Sequence, residues 1–301
     1  MSRRTRVMSD RPGPIVGGVD PFDDLLRGIR ADGAGFGRME LSPPWRVPIG
    51  HPDSLTLCAP LRGAGWISHG EVGEALRVRT GDLAVLRGPG PAVVSDPSGP
   101  AVLLIGTYDA RGAVPRRLLD VLPPVLVVPG GEECAALRDF LDAQLAARRP
   151  GRQIVQDRLL DWLLVCTLRD WFDQPGTTPP GWYRALGDPT IGPVLRAMHA
   201  APDRPWTLAA LAGEAGVSRT TLAKRFTQLV GEPPLTYLTE WRMALAADLL
   251  TGSTTTVAAV AHRVGYADAF GFSAAFKRSH GVSPSGYRTD LGRTTAASSP
   301  A

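Results

Sequence analysis

Leu208-Ala-Ala-Leu-Ala-Gly-Glu-Ala-Gly216-Val217 and Val257-Ala-Ala-Val-Ala-His-Arg-Val-Gly265-Tyr266 carry one pattern twice, about fifty residues apart. Each copy reads aliphatic, two alanines, aliphatic, alanine, two variable positions, a small or aliphatic residue, then glycine. Beyond the glycine, Ser218-Arg-Thr-Thr-Leu222-Ala-Lys-Arg-Phe226 parallels Asp268-Ala-Phe-Gly-Phe272-Ser-Ala-Ala-Phe276. A helix, a tight turn and a second helix demand this layout. Ala210 and Ala259 are read as the points where the paired helices approach. Gly216 and Gly265 stand where the first helix ends, often with positive φ. Ser218 and Asp268 are N-cap residue types. Leu222 and Phe226, like Phe272 and Phe276, lie four apart and anchor the second helix to a core. One such hairpin is ordinary packing; two in register predict a repeated helix-turn-helix.

The copies are joined by Pro233-Pro-Leu-Thr-Tyr-Leu238-Thr-Glu-Trp241-Arg-Met-Ala-Leu245-Ala-Ala-Asp-Leu249-Leu250. Proline suits the first turn of a helix, and Leu238, Trp241, Leu245 and Leu249 are expected on one face. A helix of about 17 residues is roughly 25 Å long. Such a spacer can hold two recognition helices near ~34 Å apart, one turn of B-DNA, in successive major grooves.

A chain of 301 residues is expected to form two domains. Residues 38 to 128 read as short strands separated by Gly, Pro and Asp turns, among them Leu83-Ala-Val-Leu86 and Val102-Leu-Leu-Ile-Gly-Thr-Tyr108. Two helices are expected next. Glu132 to Arg149 places Leu137, Phe140, Leu141 and Leu145 on one face; Arg152 to Phe172 does so with Ile154, Val155, Leu159, Trp162, Leu163 and Cys166. The resulting class is α+β: an N-terminal β-barrel with following helices, then an all-α domain of two helix-turn-helix units. The expected boundaries are a partly flexible extension over 1–37, the β-domain over 38–173, a breaker-rich linker over 174–188, the helical domain over 189–289 and a disordered tail over 290–301.

Charge adds a hint. The net charge of +4 is modest, but residues 190–290 hold ten Lys+Arg against seven Asp+Glu, so most of the excess lies there. The chain has two lysines, Lys224 and Lys277, and both fall in the second helices of the two units. No apolar run approaches the ~18 residues of a membrane span, and no signal core follows Met1-Ser2-Arg3-Arg4, so a cytoplasmic location is expected. Cys58, Cys134 and Cys166 are too few and too scattered for a disulfide framework or a zinc site.

Over about Ile191 to Arg288 the sequence is similar to the AraC/XylS family of bacterial transcription regulators. The resemblance rests on Ala258-Ala-Val-Ala-His-Arg-Val-Gly-Tyr-Ala-Asp-Ala-Phe-Gly-Phe-Ser-Ala-Ala-Phe-Lys-Arg, the closing Gly281-x-x-Pro284-x-x-Tyr287-Arg288, and Leu235-Thr-Tyr-Leu-Thr-Glu-Trp-Arg-Met243. The N-terminal half resembles the cupin-type AraC-binding domain through Gly81-Asp82-Leu-Ala-Val-Leu86 and Leu118-Leu-Asp-Val-Leu-Pro-Pro-Val-Leu126. Many cupins place a metal-ligand histidine after the Gly-Asp turn; here Ala92 takes that position, with His51 and His69 nearby. No metal site, cofactor or enzymatic activity is therefore expected.

The resemblance implies a sequence-specific regulator that binds double-stranded promoter DNA. It implies Thr220 and Lys224 as base-edge contacts, in keeping with lysine donating to guanine O6/N7. Arg219 and Arg225 are expected on phosphates, and Thr221, Ser273, Lys277 and Arg278 complete the expected DNA contacts. Where family members often present an arginine, this chain has Ala274, so the second unit is expected mainly to clamp the backbone. The β-domain would then sense a small-molecule effector, form a homodimer, or both, with RNA polymerase a further partner of an activator. The alternatives are redox sensing at Cys58, Cys134 or Cys166, and a cupin enzyme with a helical accessory.

Overall fold

The computed structural model describes residues 20–289, apart from 32–36, 51–53, 71–74, 89–91 and most of 132–149. Residues 1–19 of the extension, the tail from 290, Cys134 and His51 lie outside the described residues. So does most of the helix expected over Glu132 to Arg149, where Ala136, Phe140 and Ala143 are helical.

The β-domain opens with α1 (Pro21–Leu26), whose first turn is capped by Asp20 accepting from Phe22 N at 2.9 Å. It lies within the span read as an extension, with Phe22, Leu25 and Leu26 buried. Nine strands follow: β1 (Arg30–Ala31), β2 (Gly37–Leu41), β3 (Trp45–Ile49), β4 (Ser54–Arg62), β5 (Ala64–His69), β6 (Leu76–Arg79), β7 (Leu83–Arg87), β8 (Ala92–Asp96) and β9 (Ala101–Asp109). After α2 (Ala113–Leu119) come β10 (Val125–Val128) and α3 (Arg152–Asp173).

One antiparallel sheet has the order β1-β9-β4-β7-β10, with β2 also on β9; the other has the order β3-β8-β5-β6. Among the described residues no strand belongs to both, so the expected barrel is open: two sheets face each other. In the larger sheet Leu55, Leu57, Leu83 and Val85 point to the helices, while Cys58, Ala84 and Leu86 point to the smaller sheet. Burial on both faces explains why Leu83-Ala-Val-Leu86 reads as one apolar run instead of an alternation.

α3 lies on the larger sheet through Leu160, Leu163, Leu164, Leu168 and Phe172. The Tyr108 hydroxyl, fully buried, donates to the Leu160 carbonyl at 2.8 Å and fixes the helix there. Ile154, Val155 and Trp162, expected on the same face as Leu163, lie outward at 69%, 44% and 59% exposure. Both stripes are apolar, and periodicity does not say which of two apolar stripes meets the sheet.

The breaker-rich stretch is helical in its second half. α4 (Gly181–Leu186) carries Trp182 and Tyr183, whose rings join Phe22 and Phe172 at centroid separations of 4.6–6.4 Å. Two adjacent aromatics bring more apolar area than a solvated tether leaves uncovered.

The remaining chain forms α5 (Ile191–Ala200), α6 (Leu208–Glu214), α7 (Arg219–Val230), α8 (Pro234–Gly252), α9 (Val257–Arg263) and α10 (Ala269–His280), and residues 284–289 are helical. Two separate cores result, one around Leu222 and Phe226 and one around Phe272 and Phe276. The helix α8 serves both. Tyr237 and Leu238 enter the first core; Met243, Ala246, Ala247 and Leu250 enter the second. Trp241 and Ala244 pack into the β-domain core, while Leu245 and Leu249, expected on its buried face, are half-buried. A helix packed on three sides has no single apolar stripe to display.

The two domains meet along α8 and α5. Asp248 of α8 accepts from Ala113 N at 2.5 Å and Val114 N at 3.2 Å, capping α2 from across the seam. Buried His199 of α5 lies 3.0 Å from Asp24 through Nδ1 and 2.8 Å from the Tyr237 hydroxyl through Nε2. Burial, the largest influence, holds its pKa below the usual histidine value, so the ring is neutral. The Asp24 carboxylate only accepts; hence Nδ1–H donates to it and Nε2 accepts from tyrosine.

Candidate nucleic-acid interface

Each unit is built by the same local chemistry. Thr207 and Thr256 cap α6 and α9 by accepting from Ala210 N at 3.1 Å and Ala259 N at 3.2 Å. Gly216 and Gly265 take φ of 63° and 82° and end those helices. Ser218 Oγ then accepts from Thr221 N at 3.1 Å, and Asp268 Oδ1 accepts from Phe270 N at 2.9 Å and Gly271 N at 2.7 Å. The caps fix where α7 and α10 start, and therefore which residues face outward.

In each unit the most deeply buried alanine stands two residues after the one read as the point of approach. Ala212 and Ala261 are the buried alanines, at 3% and 0% exposure, beside Leu211 and Val260. Ala210 and Ala259 are half-buried.

Leu222, Phe226, Phe272 and Phe276 are all 0% exposed. The closing motif is structural too. Pro284 is buried, the Tyr287 ring meets Phe276 edge-on at 5.4 Å, and Arg288 donates to the Leu250 and Thr255 carbonyls at 3.1 and 2.5 Å. Those carbonyls lie at and beyond the end of α8, so Arg288 caps the helix that joins the units. Arg242 of α8 fixes a loop instead, the one between α5 and α6, donating to Pro202 O at 2.7 Å and Arg204 O at 2.8 Å.

With the anchors buried, α7 presents Arg219, Thr220, Thr221, Lys224 and Arg225 outward, and α10 presents Phe270, Gly271, Ala274, Lys277 and Arg278. Arg219, Lys224, Lys277 and Arg278 have no ion-pair partner among the described residues. Three expected contacts have other partners. Thr221 shares a 2.8 Å hydroxyl hydrogen bond with Ser218. Ser273 is half-buried and donates back to Ala269 O at 2.7 Å. Arg225 is forked onto Asp188, with Nη2 at 2.6 Å and Nε at 3.2 Å from its carboxylate. Phe270, absent from the expected contacts, is 87% exposed. The signal was present: it lies about 200° around the helix from the anchor Phe272.

The Arg225–Asp188 pair ties α7 to the start of α5. Hydrogen bonds from Arg225 first, then from Ile191 N and Thr190 N, hold the Asp188 carboxyl down to about 2. A folded pKa below the unfolded value of ~3.9 stabilises fully above that value and is lost as pH falls toward the folded one. Arg225→Ala is therefore expected to lower Tm by a few degrees at neutral pH. The difference should shrink as pH is lowered from about 5 toward 2. An unchanged Tm at neutral pH would show that Arg225 serves DNA alone.

The redox residues are differently placed. Cys58 is buried between the sheets, and burial pushes its thiol up to about 12, leaving almost no thiolate near neutrality. Cys166 is half-buried on α3.

Residues 20–173 match a family model described as Cupin, and residues 211–290 match one described as Helix-turn-helix domain. An AraC-like transcription regulator of Streptomyces lividans is 31% identical over 298 residues, covering 90% of this chain and 98% of that one. One from Streptomyces antibioticus is 35% identical over 241 residues, covering 79% and 75%. A crystal structure of the DNA-binding domain of AdpA, in complex with a target DNA, is 29% identical and covers 36% of this chain and 98% of that chain, with a TM-score of 0.35.

Proposed function

The chain belongs to the family of AraC-like transcription regulators, and on that premise we propose how it engages promoter DNA. The helices α7 and α10 enter successive major grooves of one duplex. The observation that carries this reading is the paired layout: both helices bury their anchors completely and turn their remaining faces to solvent from a common α8. With 19 residues, α8 is roughly 28 Å long, compatible with probes one helical turn apart.

Lys224 and Thr220 read base edges in the first half-site; Arg219 holds phosphate, and Lys277 and Arg278 clamp the backbone of the second. Selection of genomic fragments on the purified full chain, followed by footprinting, tests the reading. Two protected stretches about one helical turn apart are expected; protection of one stretch only, or of none, would overturn it. Lys224→Ala should cost about 1–3 kcal/mol and relax one base position, whereas Lys277→Ala should weaken all sequences alike and flatten the salt dependence. Equal loss of discrimination from both would count against this division.

The β-domain supplies regulation. An effector bound there can reach the DNA-binding part through Asp248 on α2 and His199 against Asp24. Homodimerisation is supported by the outward stripe of Ile154, Val155 and Trp162 on α3; large apolar side chains grouped on one helix face mark interaction surfaces. Contacts with RNA polymerase would follow for an activator.

A further inference from the structure

We propose that Phe270 is a specificity-determining residue that recognises the 5-methyl group of thymine in the half-site of the second unit. The inference rests on the DNA-binding reading above and deepens it. Phe270 is 87% exposed, well beyond Ile154 at 69% and Trp162 at 59%. It is no frayed end: its own N–H is bonded to Asp268 Oδ1 at 2.9 Å, and Gly271 N to the same oxygen at 2.7 Å. The ring is thus held out in solvent from a capped first turn, on the helix whose N-terminal residues meet base edges in this kind of unit.

What surrounds it decides what it can read. Ala269 precedes it, Gly271 follows it, and Ala274 lies one turn on, on the same outward strip. Ser273 is turned back onto its own helix through Ala269 O. This strip has no side-chain donor or acceptor until Lys277, so it makes no hydrogen bonds to base edges. Its partner must be apolar, and in the major groove the one apolar group a base pair displays is the thymine methyl. Small neighbours let the helix come close enough for the ring to reach it. The second unit then discriminates by methyl contact, where the first discriminates by Thr220 and Lys224.

The test uses the full chain and a duplex selected from a random library. Each thymine of that duplex is replaced in turn by deoxyuridine, which removes the methyl and leaves every hydrogen-bonding edge unchanged. For the natural chain, one or two replacements in the second half-site are expected to weaken binding about 3- to 10-fold, the worth of a buried methyl. For Phe270→Ala the same replacements should have no effect, while the response to first-half-site changes is kept. Phe270→Leu should retain part of the methyl preference. Because the side chain is exposed, these variants should melt with the natural chain. Equal responses of the natural chain and Phe270→Ala, or none in either, overturn the inference while leaving DNA binding intact. Failure to select any duplex overturns the reading beneath it as well.

Discussion

Phe276→Ala is expected to cost about 3–5 kcal/mol of unfolding free energy, and to spend that loss on one half of the DNA-binding part. Phe276 is fully buried, stacked on His280 at 4.2 Å, edge-on to Tyr287 at 5.4 Å and tilted against Phe272 at 5.7 Å. Truncation opens a cavity that these rings cannot close, since Tyr287 is held through the neighbouring Arg288 anchor on Leu250 O. The first core contains none of these residues, and α8 contributes to both. Hydrogen exchange should therefore show lost protection in α9 and α10 with α6 and α7 nearly unchanged. Footprinting should retain the first half-site and lose the second. Phe226→Ala is the mirror experiment, opening the core that holds Leu222 and Tyr237. Should either change release both halves equally, the units form one cooperative body, and the picture of two separately anchored probes fails.

The helical part was legible because its constraints are local. Caps, a turning glycine and a pair of anchors four apart all lie within about twenty residues of chain, and the repeat displays them twice. What it leaves open there is also local. Pattern alone does not say which of three alanines is buried deepest, and it is Ala212, not Ala210. Non-local pairings were invisible: nothing near Arg225 in the sequence announces Asp188, yet the carboxylate takes its guanidinium. The β-domain was legible as strands but not as sheets. Its larger sheet is apolar on both faces, so the alternation that assigns strands to faces is missing from β4 and β7. For the same reason α3 shows two apolar stripes, and the sequence alone leaves open which of them meets the sheet. Proline and glycine between 174 and 181 hide the aromatic pair Trp182 and Tyr183, which folds back directly after them.

Gly265→Ala is expected to cost about 2–5 kcal/mol, and Gly216→Ala only about 1–2 kcal/mol, although the two glycines hold the same place in the repeat. Both have positive φ, so both substitutions carry the left-handed penalty of a Cβ. At Gly216 nothing lies within 4 Å of the added atom. At Gly265 it would stand 2.7 Å from Asp203 O, 2.9 Å from Asp203 Cα and 2.7 Å from Arg242 Nη2. Asp203 belongs to the loop between α5 and α6, and Arg242 pins that loop through the Pro202 and Arg204 carbonyls. Gly265 is thus the point where the loop of the first unit touches the turn of the second. A side chain there strains one turn and also pushes the units apart, which changes the relative pose of α7 and α10. Binding to a duplex carrying both half-sites should fall more than the sum of the losses on single half-sites. A change of one base pair in half-site spacing should be tolerated differently from the natural chain. If Gly265→Ala and Gly216→Ala melt together and bind paired half-sites alike, the contact at Asp203 does not set the separation of the probes.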